Sequence, residues 1–433
     1  MLSDVTIRKV SGLNREAAND DRLSCLVCGG VTIVEDTPNN IAGADLNTLL
    51  GPFYSVEDAE KLGITAAYDS ANHLLIHHHI SEFFRGYGES VINRPAKPLY
   101  LYMVSQSTPL SVMCDKDADY GIYQAWLASN YKIRRFAVVL NPDSGYSADT
   151  ATNGFDADVL EAITKAQEAA ELMHDEHGPV HVYLEGRDLV AASAGDALDL
   201  HLDAENVSVI FAQDYDIAQS HALHNGYGAV GTYLGMLTSK PTLADAPSEV
   251  GLAYQGNIQD KAEGAFVNYG FGNRKLNEYS IATQNAFADK AYIVVRVFAQ
   301  VPGVYFSQSY TCALSTSDYD RSELNEVYNK ANRGIYAAYV PLLNTKIKLD
   351  SDGMIPANTA KALEQFGNDV LNRMVAKNEI SAGKTYIDPQ QLDDSGNATS
   401  LAVTRNLKVK WRMVPMGKAE SIEGTLGFTV SIE

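Results

Sequence analysis

The sequence predicts an α/β N-terminal portion, a C-terminal α+β domain and an extended strand arm at each end. Three observations lead there. From Arg22 to about Thr238, short apolar strands alternate with longer helical stretches, the pattern of a layered α/β architecture. From Val301 onward the order changes to strand, helix, extended segment, helix and two strands. At both ends, Met1 to Val10 and Gly424 to Ile432 alternate like strands.

Taken in order, residues 1–18 form an extended arm, and 19–240 an α/β domain. Within that domain the candidate strands are Ser24 to Cys28, Leu99 to Ser105, Arg135 to Leu140, Val180 to Glu185 and Val207 to Gln213. Helical periodicity falls near Val56 to Leu62, Ala71 to Arg85, Tyr120 to Ser129, Asp156 to His174 and Ile217 to Thr238. Across 241–290, Pro241, Pro247, Gly264, Gly270 and Gly272 interrupt any period, which marks an irregular connection or insertion. A strong strand resumes at Ala291 to Phe298, opening a C-terminal domain over 291–418.

In that domain Val301 to Phe306 is a strand, and Ser317 to Ala331 starts a helix with a Ser/Asp cap and an acidic first turn. Asn332-Arg-Gly334 marks its kink or end. Leu342 to Leu349 alternates as an extended segment, Asp350 to Gly353 is a turn, and Pro356 takes the first position of a helix to about Lys377. After the polar stretch Asp388 to Thr399 come two strands, Leu401 to Val414 and Gly424 to Ile432, the second lying in an arm over 419–433. A terminal strand carries backbone donors and acceptors that need a partner in its own fold or in a neighbour.

A chain of 433 residues exceeds one ordinary core, and 45% hydrophobic with 20% charged content describes a folded chain. The N-terminus lacks an apolar leader core and no membrane-length run is present, so synthesis and folding in a cytoplasm are expected. A formal net charge of −20 argues against a nucleic-acid ligand, whose phosphates are neutralised by clustered Lys and Arg. One stretch runs against it: Arg405, Lys408, Lys410, Arg412 and Lys418 occur with no acid between them. They read as a solvated strand face or as a docking surface for an acidic partner.

Each enzyme-like motif in the chain also has a structural reading. Gly226-Tyr-Gly228-Ala-Val-Gly231 is a literal GxGxxG, but the preceding strand ends near Gln213, and a dinucleotide fingerprint needs the glycines at the strand-to-helix turn. With Ala229 and Gly235 they read as a small-residue helix face. His73, His77, His78 and His79 fit the border of an amphipathic helix, and His174, His177 and His181 form a second group; no zinc-protease pattern accompanies either. Cys25 and Cys28 point to opposite faces of one strand, and Cys114 and Cys312 stand alone, so packing is their expected role. Asp115, Asp117 and Asp119 share one polar loop, and no Gly-x-Ser-x-Gly elbow occurs. No cofactor or metal is expected. The 24 tyrosines suit a protein with extensive interfaces.

Val301-Pro-Gly-Val-Tyr-Phe306, the Ser317-Asp-Tyr319 helix start followed by Asn329-Lys-Ala-Asn-Arg333, the Asp352-Gly-Met-Ile-Pro356 turn into a helix, and the closing basic and terminal strands together resemble the C-terminal region of contractile tail sheath proteins. Those proteins belong to phage tails and related injection systems. Ser55 to Gly63 adds to the likeness, resembling the helix after the first strand of many sheath subunits. The stretch 241–290 departs from the commoner members.

The resemblance implies a sheath subunit that polymerises around an inner tube and contracts by subunit rearrangement, with no nucleotide. It implies that Asp4, Val5, Thr6, Ile7 and Arg8, and Thr425, Leu426, Phe428, Val430 and Ile432, are given as strands to neighbouring subunits. It also implies that Arg405, Lys408, Lys410 and Arg412 face the inner tube. Identical subunits, the tube, and baseplate and terminator proteins are the implied partners, with no nucleic acid and no membrane insertion. Assembly would take place in a host cytoplasm, giving a tail or injection particle. The rival from the residues alone is a cytoplasmic α/β nucleotide- or metal-dependent enzyme, and another particle component such as a tube or baseplate protein is a third reading.

Overall fold

The computed structural model describes residues 23–35, 42–87, 98–239, 266–393 and 395–417. The expected arm residues Asp4 to Arg8 and Thr425 to Ile432 lie outside the described residues. The chain divides into two compact units, 1–345 and 346–433, a boundary that falls inside the segment 291–418 read from the sequence as one domain.

The first unit opens with β1 (Ser24–Gly30), β2 (Leu49–Phe53), α1 (Val56–Glu60), α2 (Ala66–Asn72), α3 (Ile76–Tyr87), β3 (Leu99–Ser105), α4 (Leu110–Cys114), α5 (Ile122–Ala128), β4 (Arg135–Val139), α6 (Ala157–Asp175), β5 (His181–Glu185) and β6 (Val207–Ile210). Its main sheet runs β2-β3-β1-β4-β5-β6. All neighbours are parallel except β2, which lies antiparallel on the edge against β3. β1, β4, β5 and β6 are buried along their whole length, which is why they read as near-continuous apolar runs.

The same unit continues through β7 (Ala212–Asp214), α7 (Tyr215–Ala218), α8 (Val230–Ser239), β8 (Tyr269–Phe271), β9 (Arg274–Lys275), α9 (Ile281–Ala288), β10 (Val295–Phe298), β11 (Val301–Phe306) and α10 (Ser322–Tyr339). β7, β8 and β9 form a small antiparallel sheet, and β10 pairs with β11. The α10 helix is fastened to the main sheet by a buried ion pair. Arg135 on β4 donates from Nε to Glu326 Oε1 at 2.7 Å and from Nη2 to Oε2 at 2.5 Å, while Tyr183 on β5 donates to Oε1 at 2.8 Å. Such bidentate geometry, with the extra phenol donor, offsets the cost of burying both charges.

The second unit holds α11 (Ala357–Ala376), β12 (Ile380–Tyr386), α12 (Leu401–Thr404) and β13 (Lys410–Pro415). Ala360, Leu363, Gly367, Val370, Leu371 and Met374 recur at three- and four-residue spacing and form the buried stripe of α11. β12 and β13 pair antiparallel, with Lys384 opposite Arg412, Thr385 opposite Trp411 and Tyr386 opposite Lys410.

Several elements differ from those the sequence predicts. The stretch Leu401 to Val414 is not one strand: Leu401–Thr404 is a helical turn closed by Arg405 in the left-handed region, and pairing begins only at Lys410. Strand β12 was not anticipated, nor was α9 within the supposedly irregular 241–290. α10 starts at Ser322 rather than Ser317 and runs straight through Gly334. Ala71 to Arg85 breaks at His73, whose φ of 55° ends α2. Ile217 to Thr238 splits into α7, a 3-10 turn at Ala222–His224, and α8.

Candidate docking surface

The β12–β13 hairpin has one face on α11 and the other in solvent. On the inner side α11 holds β12 by its own side chains: Asn368 accepts the Thr385 amide at 2.8 Å and Glu364 accepts the Ile387 amide at 3.0 Å. The approach is close enough that a Cβ on Gly367 would stand 2.4 Å from Thr385 Oγ1 and 2.8 Å from Trp411 Nε1. Residues directly opposite on an antiparallel pair share a face. With Thr385 and Trp411 turned to the helix, Lys384, Tyr386, Lys410 and Arg412 fall together on the outer side.

These four line a shallow cavity of about 310 Å³. Tyr386 is 47% exposed, and Lys384, Lys410 and Arg412 are exposed. Among the described residues none of the three cations has an acidic side chain at ion-pair distance; Lys384 acts only at longer range on the buried Glu364. Lys384 and Arg412 are therefore like charges placed directly opposite each other, an arrangement that disfavours the hairpin.

The four sequence-predicted basic residues separate in the structure. Lys410 and Arg412 join the cavity. Lys408 is bound into the fold: its amide donates to Gln391 Oε1 at 2.6 Å and its Nζ to the Leu392 carbonyl at 2.9 Å. The buried Gln391 also donates to the carbonyls of Asp388 and Lys408, bracing the approach to β13. Arg405 caps α12 before this segment. Sequence reading missed Lys384 and Tyr386, whose only signal was the alternation Ala382, Lys384, Tyr386 in a strand interrupted by Gly383.

The enzyme-like motifs occupy structural positions. Gly226 and Gly228 precede α8 instead of lying inside it, and a Cβ on Gly228 would stand 2.3 Å from the Ile210 carbonyl oxygen. Gly231 and Gly235 bring α8 against α3, where added Cβ atoms would meet the carbonyls of His79 and Phe83 at 2.5 and 2.3 Å. His73 stacks on His221 with centroids 4.0 Å apart, His77 meets Glu60 at 3.0 Å, and His79 Nδ1 accepts the Gly231 amide at 3.3 Å. Asn332 bonds His174, Tyr336 stacks on His177, and Ser208 bonds His181. No group of three or more His, Cys, Asp or Glu among the described residues is arranged to hold a metal ion. All four thiols are buried, and burial pushes their ionisation up, to about 12 for Cys312. No described helix is long and apolar enough to cross a membrane.

The DUF2586 N-terminal domain matches residues 2–310 and the DUF2586 C-terminal domain residues 318–433. The chain belongs to the DUF2586 family. No curated protein matches the DUF2586 chain by sequence. Among solved structures it is similar to the anti-feeding prophage helical sheath in its contracted state, with a TM-score of 0.58 and 14% identity, over 98% of this chain and 100% of that one. It is also similar to a chain of the six-fold symmetrised anti-feeding prophage baseplate, at 0.57 and 13%, over 100% and 99%. The contracted baseplate gives 0.55 and 11%, over 99% of both chains. The DUF2586 chain thus shares its multidomain fold with the anti-feeding prophage sheath and baseplate chains over 98–100% of its length.

Proposed function

We propose that the chain is a structural subunit of a contractile sheath, polymerising around an inner tube and driving it through a target envelope when the subunits rearrange. The observation that carries this reading is the end-to-end likeness to the contracted sheath, 98% of one chain against 100% of the other. Agreement over the full length, in both compact units, is more than a shared α/β layer would give.

The hairpin of the second unit adds support. A two-stranded sheet is marginal alone, and among the described residues β12 and β13 each leave one edge without a strand partner. Strands from neighbouring subunits, the segments around Asp4 to Arg8 and Thr425 to Ile432, would extend it by main-chain hydrogen bonds. Contraction then consists of compact units rotating while those strands keep the lattice tied. The energy lies in the assembled extended state, and baseplate and terminator proteins bound the polymer at its ends.

Deleting Gly424 to Glu433 tests the strand exchange. The truncated chain is expected to fold and to stay monomeric; ordered tubes from it would defeat the mechanism.

A further inference from the structure

We propose that the basic face of β12 and β13 docks on the acid-rich first unit of a second copy of this chain. The inference builds on the reading of the chain as a self-assembling subunit and names the partner of that face.

Charge is divided unevenly along the sequence. Residues 346–433 carry equal numbers of acidic and basic side chains, so the whole formal −20 belongs to residues 1–345. On the neutral second unit Lys384, Lys410 and Arg412 crowd one sheet face, and Lys384 stands opposite Arg412 with no acid at ion-pair distance among the described residues. An anion seated between them removes that repulsion. On the first unit α6 exposes Glu161, Glu171 and Asp175, and the loop bearing Asp117 is held beside it, Lys116 bonding Glu168 at 2.9 Å and Lys165 meeting Asp115 at 3.1 Å.

Three cations are too few for a phosphate backbone, and a −20 chain repels one. An acidic protein surface remains, and this chain supplies its own. The family resemblance directed Lys410 and Arg412 at an inner tube; the charge distribution within the chain directs them at a neighbour. A contact between the second unit of one copy and the first unit of the next joins two different surfaces. Such heterologous contacts propagate from copy to copy, into rings where the rotation closes and into helical polymers where it does not.

A charge swap in the full-length chain tests this. One variant carries Lys384→Glu, Lys410→Glu and Arg412→Glu, the other Glu161→Lys, Glu171→Lys and Asp175→Lys, with thermal unfolding confirming that each folds. By sedimentation velocity at low salt, each alone is expected to associate roughly tenfold more weakly than wild type, a size set by three exposed ion pairs. The equimolar mixture should recover the association, and moderate salt should weaken it in wild type. Undiminished association of the first variant, or no recovery on mixing, overturns the proposal. A defect that emerges only when the tube protein is added overturns it too, in favour of the tube as partner. If wild type forms no ordered tubes while the swapped pair still associates, the docking stands and the sheath reading falls.

Discussion

Lys384 and Arg412 stand directly opposite each other on antiparallel strands, two exposed cations with no acid at ion-pair distance among the described residues. A pair of this kind disfavours the isolated hairpin, so Lys384→Glu should raise the stability of the second unit by about 0.5 kcal/mol while weakening assembly. Denaturant unfolding and sedimentation on the same sample check both halves. A variant that loses stability and assembly together would mean that Lys384 is simply part of the fold.

Gly367 sits where α11 meets the hairpin, and a Cβ there would crowd Thr385 and Trp411. Gly367→Ala is therefore expected to destabilise the second unit by about 1–3 kcal/mol, although alanine is the better helix former. Trp411 fluorescence should report an earlier transition in that unit. An unchanged or later transition would show that the contact relaxes freely.

Arg135 and Glu326 join α10 to the main sheet. Glu326→Gln, which leaves a buried guanidinium without its counter-charge, should cost about 3–5 kcal/mol. Replacing both partners, Arg135→Met with Glu326→Leu, should recover most of the loss. A double variant as unstable as the single one would assign the pair a role beyond mutual compensation.

His79 is buried between α3 and α8, and burial pushes its pKa down to about 3. The unfolded chain takes up this proton below about pH 6.5 and the folded chain does not, so stability is full above pH 6.5 and is lost as pH falls toward 3. The loss at pH 5 is about 2 kcal/mol from this residue. His79→Asn keeps an acceptor for the Gly231 amide and should flatten that acid limb in urea titrations. Glu185 acts oppositely: burial raises its pKa to about 7, so its contribution is full at low pH and fades as pH rises through 7. An acid limb of equal slope in His79→Asn would remove the residue from the account.

Much of the first unit was legible because β1, β4, β5 and β6 are buried on both faces and announce themselves as apolar runs, as at Arg135–Val139. The breaks were not. His73 takes a left-handed conformation usual for Gly or Asn, and the turn through Gly226 and Gly228 is set by the strand ends and side chains packed around it. β12 escaped notice because only Ile380 and Thr385 are buried in it, and Gly383 lies where a helix presses close. The docking face was half visible: Lys410 and Arg412 stood out as a basic run, whereas Lys384 and Tyr386 join them only through strand pairing. Lys408 looked equivalent in sequence but is bound to Gln391 and Leu392.

A chain that builds a sheath should assemble visibly under electron microscopy of the purified full-length protein across concentration, with and without an inner-tube protein. Hollow striated tubes or stacked rings are the predicted result; uniform small particles that persist at high concentration with the tube present would contradict it.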